Sequence, residues 1–233
     1  MKRNLLLLHG AIGSEDQLAP LKKHLSDCFN CYSLNFPGHG GRPFENDFSI
    51  ATFADNVLRF LKQEGLDSID VFGYSMGGYV ALYLAKNHPE KVGRIMTLGT
   101  KFHWSPEVAE KETMMLQPIK IQQKVPAFAD ALDKRHAPLD WKKVLNRTAD
   151  MMTQMGKDNP LKEDDYRMIQ HQVNIGLADH DEMVTLEETE TVVQSLPNSH
   201  FYRLTNSKHP IEQTDLVLLN QAVKSFFIEG KNA

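Results

Sequence analysis

The chain has no excess of positive charge. Of its 233 residues 26 are Lys or Arg and 30 are Asp or Glu, a formal net charge of -4. No broad basic field therefore exists to hold nucleic acid or an anionic membrane. Long apolar runs are also missing. The densest N-terminal one, Leu5 to Leu8, is far too short for a signal-peptide core or for the roughly 20 residues of a membrane-spanning helix. The chain is expected in the cytoplasm, with neither nucleic acid nor membrane as a partner. Cysteine is scarce, limited to Cys28 and Cys31. Their C-x-x-C spacing lacks the second ligand pair of a zinc site and the setting of a thioredoxin-like motif, so two reduced, buried thiols and no metal are expected. No internal repeat or low-complexity tract is visible. What is present is a 41% hydrophobic content, enough for a chain of this length to bury one large core or two modest ones.

Short apolar runs alternate with amphipathic stretches. Asn4 to Leu8, Cys31 to Leu34, Ile69 to Phe72, Arg94 to Leu98, Val173 to Leu177 and His200 to Leu204 read as strands. Glu15 to Ser26, Ile50 to Gln63, Ser75 to Asn87, Leu186 to Ser195 and Ile211 to Phe227 carry apolar residues at three-to-four spacing and read as helices. Such alternation predicts an α/β fold with a mostly parallel sheet covered on both faces. It breaks once, between Lys101 and about Asp165, where helices are expected around Pro106 to Leu116, Pro126 to Lys134 and Asp140 to Met155. The expected organisation is a core of residues 1–100 and 166–233 with a helical cap, 101–165, over the carboxyl ends of the strands, where open α/β sheets bind ligands. The insertion holds eleven Lys or Arg and eleven Asp or Glu, so it offers an ionic substrate no net attraction.

The most informative motif is Gly73-Tyr74-Ser75-Met76-Gly77-Gly78. It follows an apolar strand and opens a helical pattern, which makes it a nucleophile elbow. The turn is so sharp that side chains two residues either side of the serine would collide, hence glycine at 73 and 77. The helix N-terminus adds free N–H groups and a positive dipole end beside Ser75.

A serine hydroxyl needs a histidine to take its proton and a carboxylate to fix that histidine. Of ten histidines, His209 is best placed, in the loop after the last strand. His9 is expected to be structural, and His24, His88, His136 and His171 solvated or partly buried. The acid is expected after strand Val173 to Leu177, where Asp179 and Asp181 both qualify. Glu182, Glu187 and Glu188 are expected on a solvated face and in the first turn of the next helix. Two backbone N–H groups complete the requirement, an oxyanion hole: Met76 from the elbow and Ala11 from the loop His9-Gly10-Ala11-Ile12-Gly13.

With these residues assembled, the chain resembles the α/β-hydrolase superfamily over essentially its whole length. Leu8-His9-Gly10 resembles the oxyanion loop, Pro37-Gly38-His39-Gly40 the loop after the next strand, Gly73 to Gly78 the elbow, Asp181 to Val184 the acid loop and His209-Pro210 the histidine loop. The family spacing, counted back from Val184, favours Asp181 over Asp179, although Ala178 stands where glycine is usual. Asn35 replaces a common aspartate, which weakens the comparison for the Pro37 loop. The chain begins near the family's third strand, so a short sheet without the N-terminal hairpin is expected.

The resemblance and the residues imply a serine hydrolase cleaving a small ester that bears an apolar group, with no cofactor. Its pocket would draw on Phe102, Trp104, Met114, Met115, Phe128, Trp141, Met151, Met152 and Met155, most of which are expected to form the core of the cap. The elbow also resembles carbon–carbon bond hydrolases and the menaquinone-pathway synthase, but Tyr79 stands where that synthase would place a basic residue. A slow-turnover ligand receptor on the same fold is a third reading.

Overall fold

In the computed structural model, which describes residues 2–229, six parallel strands form one sheet: β1 (Arg3–Leu8), β2 (Phe29–Ser33), β3 (Ile69–Tyr74), β4 (Val92–Leu98), β5 (Val173–His180) and β6 (Ser199–Lys208), in the order β2-β1-β3-β4-β5-β6. The strand candidates all fall within these elements or one residue past them. β1 shows why the sheet is buried on both faces: Leu6 and Leu8 join one apolar cluster with Val71, while Leu5 and Leu7 join the other with Phe72. Alternation along the strand thus feeds two cores rather than one core and solvent.

Helices α1 (Ala19–Leu25), α2 (Ile50–Gln63), α3 (Met76–Asn87), α9 (Leu186–Ser195) and α10 (Leu216–Lys224) connect or follow the strands, and five more, α4 (Pro106–Thr113), α5 (Pro118–Lys124), α6 (Pro126–His136), α7 (Trp141–Lys157) and α8 (Glu163–Met168), lie between β4 and β5. α2 illustrates the local logic. Ser49 caps it by accepting the Thr52 N–H, and Phe53, Val57 and Leu61 form the buried stripe at i, i+4, i+8.

Several boundaries differ from the sequence reading. The first and last helices begin with 3-10 turns, Glu15–Leu18 and Ile211–Gln213. Asp215 caps α10 through the N–H groups of Val217 and Leu218, which fixes its start five residues late. The interval between β4 and β5 has two helices more than the three expected, α5 and α8, and residue 165 falls inside α8, which packs on α3 and α9.

The strand order places the site. The chain passes from β1 outward to β2 and then returns to the other side of β1 as β3, so the loops leaving β1 and β3 diverge at adjacent strand ends and leave a crevice between them. The register Leu8↔Gly73 sets the two strand ends side by side.

Candidate functional site

Ser75 stands at the end of β3 with φ 51°, one of three positive-φ non-glycine residues among those described. Its N–H donates to Leu98 O at 2.8 Å and its carbonyl accepts the Thr100 hydroxyl at 3.0 Å, so the strained turn is held from β4. A Cβ on Gly73 would meet the backbone of Gly78, and one on Gly77 the Leu8 carbonyl. The elbow therefore excludes side chains at both positions.

Around Ser75 lies a cavity of about 50 Å³, room for a few waters. Ala11, Met76, Tyr79 and His209 line it from the core and Trp104, Met151, Met152 and Met155 from the β4–β5 interval. Neither the Ala11 N–H nor the Met76 N–H donates a hydrogen bond among the described residues. Met76 opens α3, where the first N–H groups have no intrahelical acceptor.

His209 is anchored on both sides. Its Nδ1 lies 2.8 Å from Asp181 Oδ2, and its carbonyl accepts the Tyr74 hydroxyl at 2.9 Å. With Nδ1–H donating to the carboxylate, Nε2 keeps its lone pair. The Asp181 side chain is fully buried, and its Oδ1 accepts the Met183 and Val184 N–H groups at 2.8 and 2.9 Å. Burial pushes the carboxyl up, but the His209 hydrogen bond and charge together with those two N–H groups outweigh it and hold it below the usual carboxylate range. Asp179 faces elsewhere, accepting the N–H groups of Asn206 and Ser207. Ser75 and His209 share the cavity, but no hydrogen bond joins them among the described residues.

His9 is fully buried. Its Nδ1 lies 2.7 Å from Gly10 O and its Nε2 accepts the Phe36 N–H, so the ring pins the Ala11 loop to the segment after β2. Asn35 anchors that segment despite replacing an acid, accepting the Glu15 N–H and donating to Glu15 Oε1 and Gly40 O. His136 corrects the sequence reading: it is fully buried, with Nδ1 accepting the Gly40 N–H and Nε2 3.1 Å from Ile12 O. It fastens α6 to the two loops that flank the site. Glu188 is a second correction. It lies in the first turn of α9 as expected, yet its side chain is only 9% exposed and accepts the Phe102 N–H at 2.9 Å.

Of the apolar residues of the interval, Trp104, Met151, Met152 and Met155 reach the cavity, Trp141 packs in a separate cluster with Leu132 and Leu145, and Met114, Met115 and Phe128 are exposed. Cys28 and Cys31 are free and half-buried rather than buried. Among the described residues no His, Cys, Asp or Glu cluster is arranged to hold a metal ion, and no helix is long and apolar enough to cross a membrane.

A parallel α/β sheet with a strained serine between strand and helix, and an acid-paired histidine lining the same cavity, is the architecture of the α/β hydrolases. The chain belongs to that family: the model of the alpha/beta hydrolase fold matches residues 3–135. Among curated proteins it is similar to the pimeloyl-[acyl-carrier protein] methyl ester esterase of Neisseria meningitidis serogroup B, 34% identical over 100 residues, which are 43% of this chain and 37% of that one. The chain thus spans little more than a third of that relative. Among solved structures it is similar in fold to a serine hydrolase from Cycloclasticus zankles (TM-score 0.81, 19% identity, covering 100% of this chain and 92% of that one) and to MenH from S. aureus (TM-score 0.79, 18% identity, 99% and 95%).

Proposed function

We propose that the protein is a serine hydrolase that cleaves a small carboxylic ester through an acyl-enzyme. Ser75 Oγ attacks the carbonyl carbon while His209 Nε2 takes its proton, and Asp181 stabilises the imidazolium that results. The oxygen that gains the electron pair is received by the Ala11 and Met76 N–H groups. Collapse breaks the bond to the leaving alcohol, which takes its proton from His209. Water then attacks the acyl group with His209 again as base, releasing the acid and restoring Ser75. The chemistry requires no cofactor.

The observation that carries this reading is the convergence on one cavity of Ser75, the acid-paired His209, and Ala11 and Met76, whose backbone N–H groups have no acceptor among the described residues. The missing Ser75–His209 bond is consistent with this reading, since such contacts are often long or loose before substrate binds. The ester bond cleaved by the Neisseria relative supports the same bond class. Residues 101–165 act as the cap, whose flexible Met151, Met152 and Met155 yield to an apolar group.

Labelling with a fluorophosphonate followed by peptide mapping tests the assignment. Modification is expected at Ser75 and to be lost in His209→Ala; labelling at another residue overturns it. Consumption of a diketone or of an anionic carbon–carbon substrate, with simple esters untouched, would instead select the carbon–carbon hydrolase or lyase reading.

A further inference from the structure

A second and larger cavity, about 640 Å³, adjoins the Ser75 cavity, and Lys101, Glu112 and Met183 line both. The wall between them is charged. Lys101 Nζ lies 3.4 Å from Glu112 Oε1 and 3.8 Å from Glu188 Oε2, and all three side chains are largely buried, at 14%, 4% and 9% exposure. One ammonium between two carboxylates leaves a negative charge without a counterpart.

The two acids are not equivalent. Glu188 has its oxygens occupied: Oε1 by the Phe102 N–H, Oε2 by the N–H and hydroxyl of Thr185. Glu112 has only the long contact to Lys101, beyond the 2.7–2.9 Å usual for a charge-assisted hydrogen bond, and its Oε2 has no partner among the described residues. A carboxylate taken out of water without donors is costly to the fold, and such groups are retained where something supplies the missing donor. The side chain stands where the two cavities meet, so a ligand that spans them can supply it. The larger cavity adds to the same field, since five of the charged residues lining it are glutamates and three are lysines.

We infer that Glu112 is a specificity-determining anion: the substrate of Ser75 carries a cationic hydrogen-bond donor, an ammonium or related group, that binds between Glu112 and the larger cavity. This rests on the hydrolase reading of Ser75. Carboxylate-bearing esters are disfavoured by the same charge, because Lys101, the one cation lining the Ser75 cavity among the described residues, is already committed to two acids.

The test uses p-nitrophenyl esters of one straight acyl length ending in a methyl, an ammonium or a carboxylate. Wild-type kcat/KM is expected to rank ammonium above methyl above carboxylate, with ammonium over carboxylate by about tenfold or more. Glu112→Gln is expected to shrink that ratio about tenfold, and Lys101→Met to widen it. A wild-type preference for the carboxylate ester, an unchanged ratio in Glu112→Gln, or a narrowed one in Lys101→Met overturns the inference. If Glu112→Gln does not fold, the wild-type ranking and Lys101→Met decide. If no ester is turned over, the hydrolase reading fails separately. Binding to Ser75→Ala then decides for Glu112: an alkylammonium is expected to raise the melting midpoint more than the matching alcohol or carboxylate. Equal shifts from the three overturn the inference.

Discussion

Asp181 and His209 meet at 2.8 Å through Oδ2 and Nδ1, whereas Asp179, two residues earlier, turns its carboxylate to the N–H groups of Asn206 and Ser207. One acid orients an imidazole and the other ties down the loop that carries it. Asp181→Asn is expected to lower kcat for ester hydrolysis roughly 10⁴-fold, because an amide presents the wrong partner to Nδ1–H. Asp179→Asn is expected to keep kcat within a few-fold and to lower the melting midpoint. Kinetics of the two variants side by side check this, and the reverse order would reassign the acid.

Ser75→Ala is expected to lower turnover of a short acyl ester by roughly 10³-fold or more while the circular dichroism spectrum is unchanged, since the turn is held by backbone bonds from Leu98 and by Thr100 rather than by the serine hydroxyl. Turnover near the wild-type level in that variant would move the nucleophile elsewhere.

What the sequence made legible, and what it did not, divides by range. β3 and its elbow were readable because the information is local: an apolar run, two glycines, a serine and a helical period lie within a few turns of chain. The helices α5 and α8, of seven and six residues, are too short to display a 3.6-residue period; Pro118 at the first position of α5 was the available signal. His136 was unreadable for a different reason, as its partners Gly40 and Ile12 lie 96 and 124 residues away. The Lys101–Glu112–Glu188 wall joins the segment from β4 into α4 to the distant α9, and nothing in the pattern around Glu188 distinguishes a buried capping acid from the solvated first-turn acid that a helix N-terminus ordinarily carries. The residues by themselves left Asp179 and Asp181 both open as the partner of His209, because which carboxylate turns inward after β5 is a matter of tertiary contact; only the family spacing counted back from Val184 favoured Asp181, the acid that meets His209.

Gly77→Ala is expected to destabilise the fold by about 1–3 kcal/mol, because the added carbon meets the backbone carbonyls of Leu8 and His9 and must push α3 away from the β1 loop. The same displacement separates the Met76 and Ala11 N–H groups, so kcat is expected to fall even where the variant remains folded. Urea unfolding and ester kinetics on one preparation check both effects, and a variant of wild-type stability would show that the elbow has slack.

Acid is expected to loosen the site before it unfolds the sheet. Burial holds His9 and His136 at about 4 and His39 well below its ordinary value, so all three are neutral near pH 7 in the folded protein. Between about pH 6.5 and about pH 4 the unfolded chain binds protons at these positions that the folded chain does not; stability therefore rises with pH across that window and is level above it. The Asp181 carboxyl, held low, acts with the same sign at more acidic pH, its contribution being lost as pH falls through its folded value. Each imidazole shifted from 6.5 to about 4 contributes on the order of 3 kcal/mol to the total rise across the window. Protonation at Nδ1 of His136 removes the acceptor of the Gly40 N–H, and protonation at Nε2 of His9 removes that of the Phe36 N–H, which frees the loop holding Ala11. The melting midpoint is expected to be level above about pH 7 and to fall steeply toward pH 4, and His136→Gln, whose amide can both accept and donate, is expected to flatten that fall. Thermal melts of wild type and variant across the window check this, and parallel curves would show that His136 is not among the groups that take up the protons.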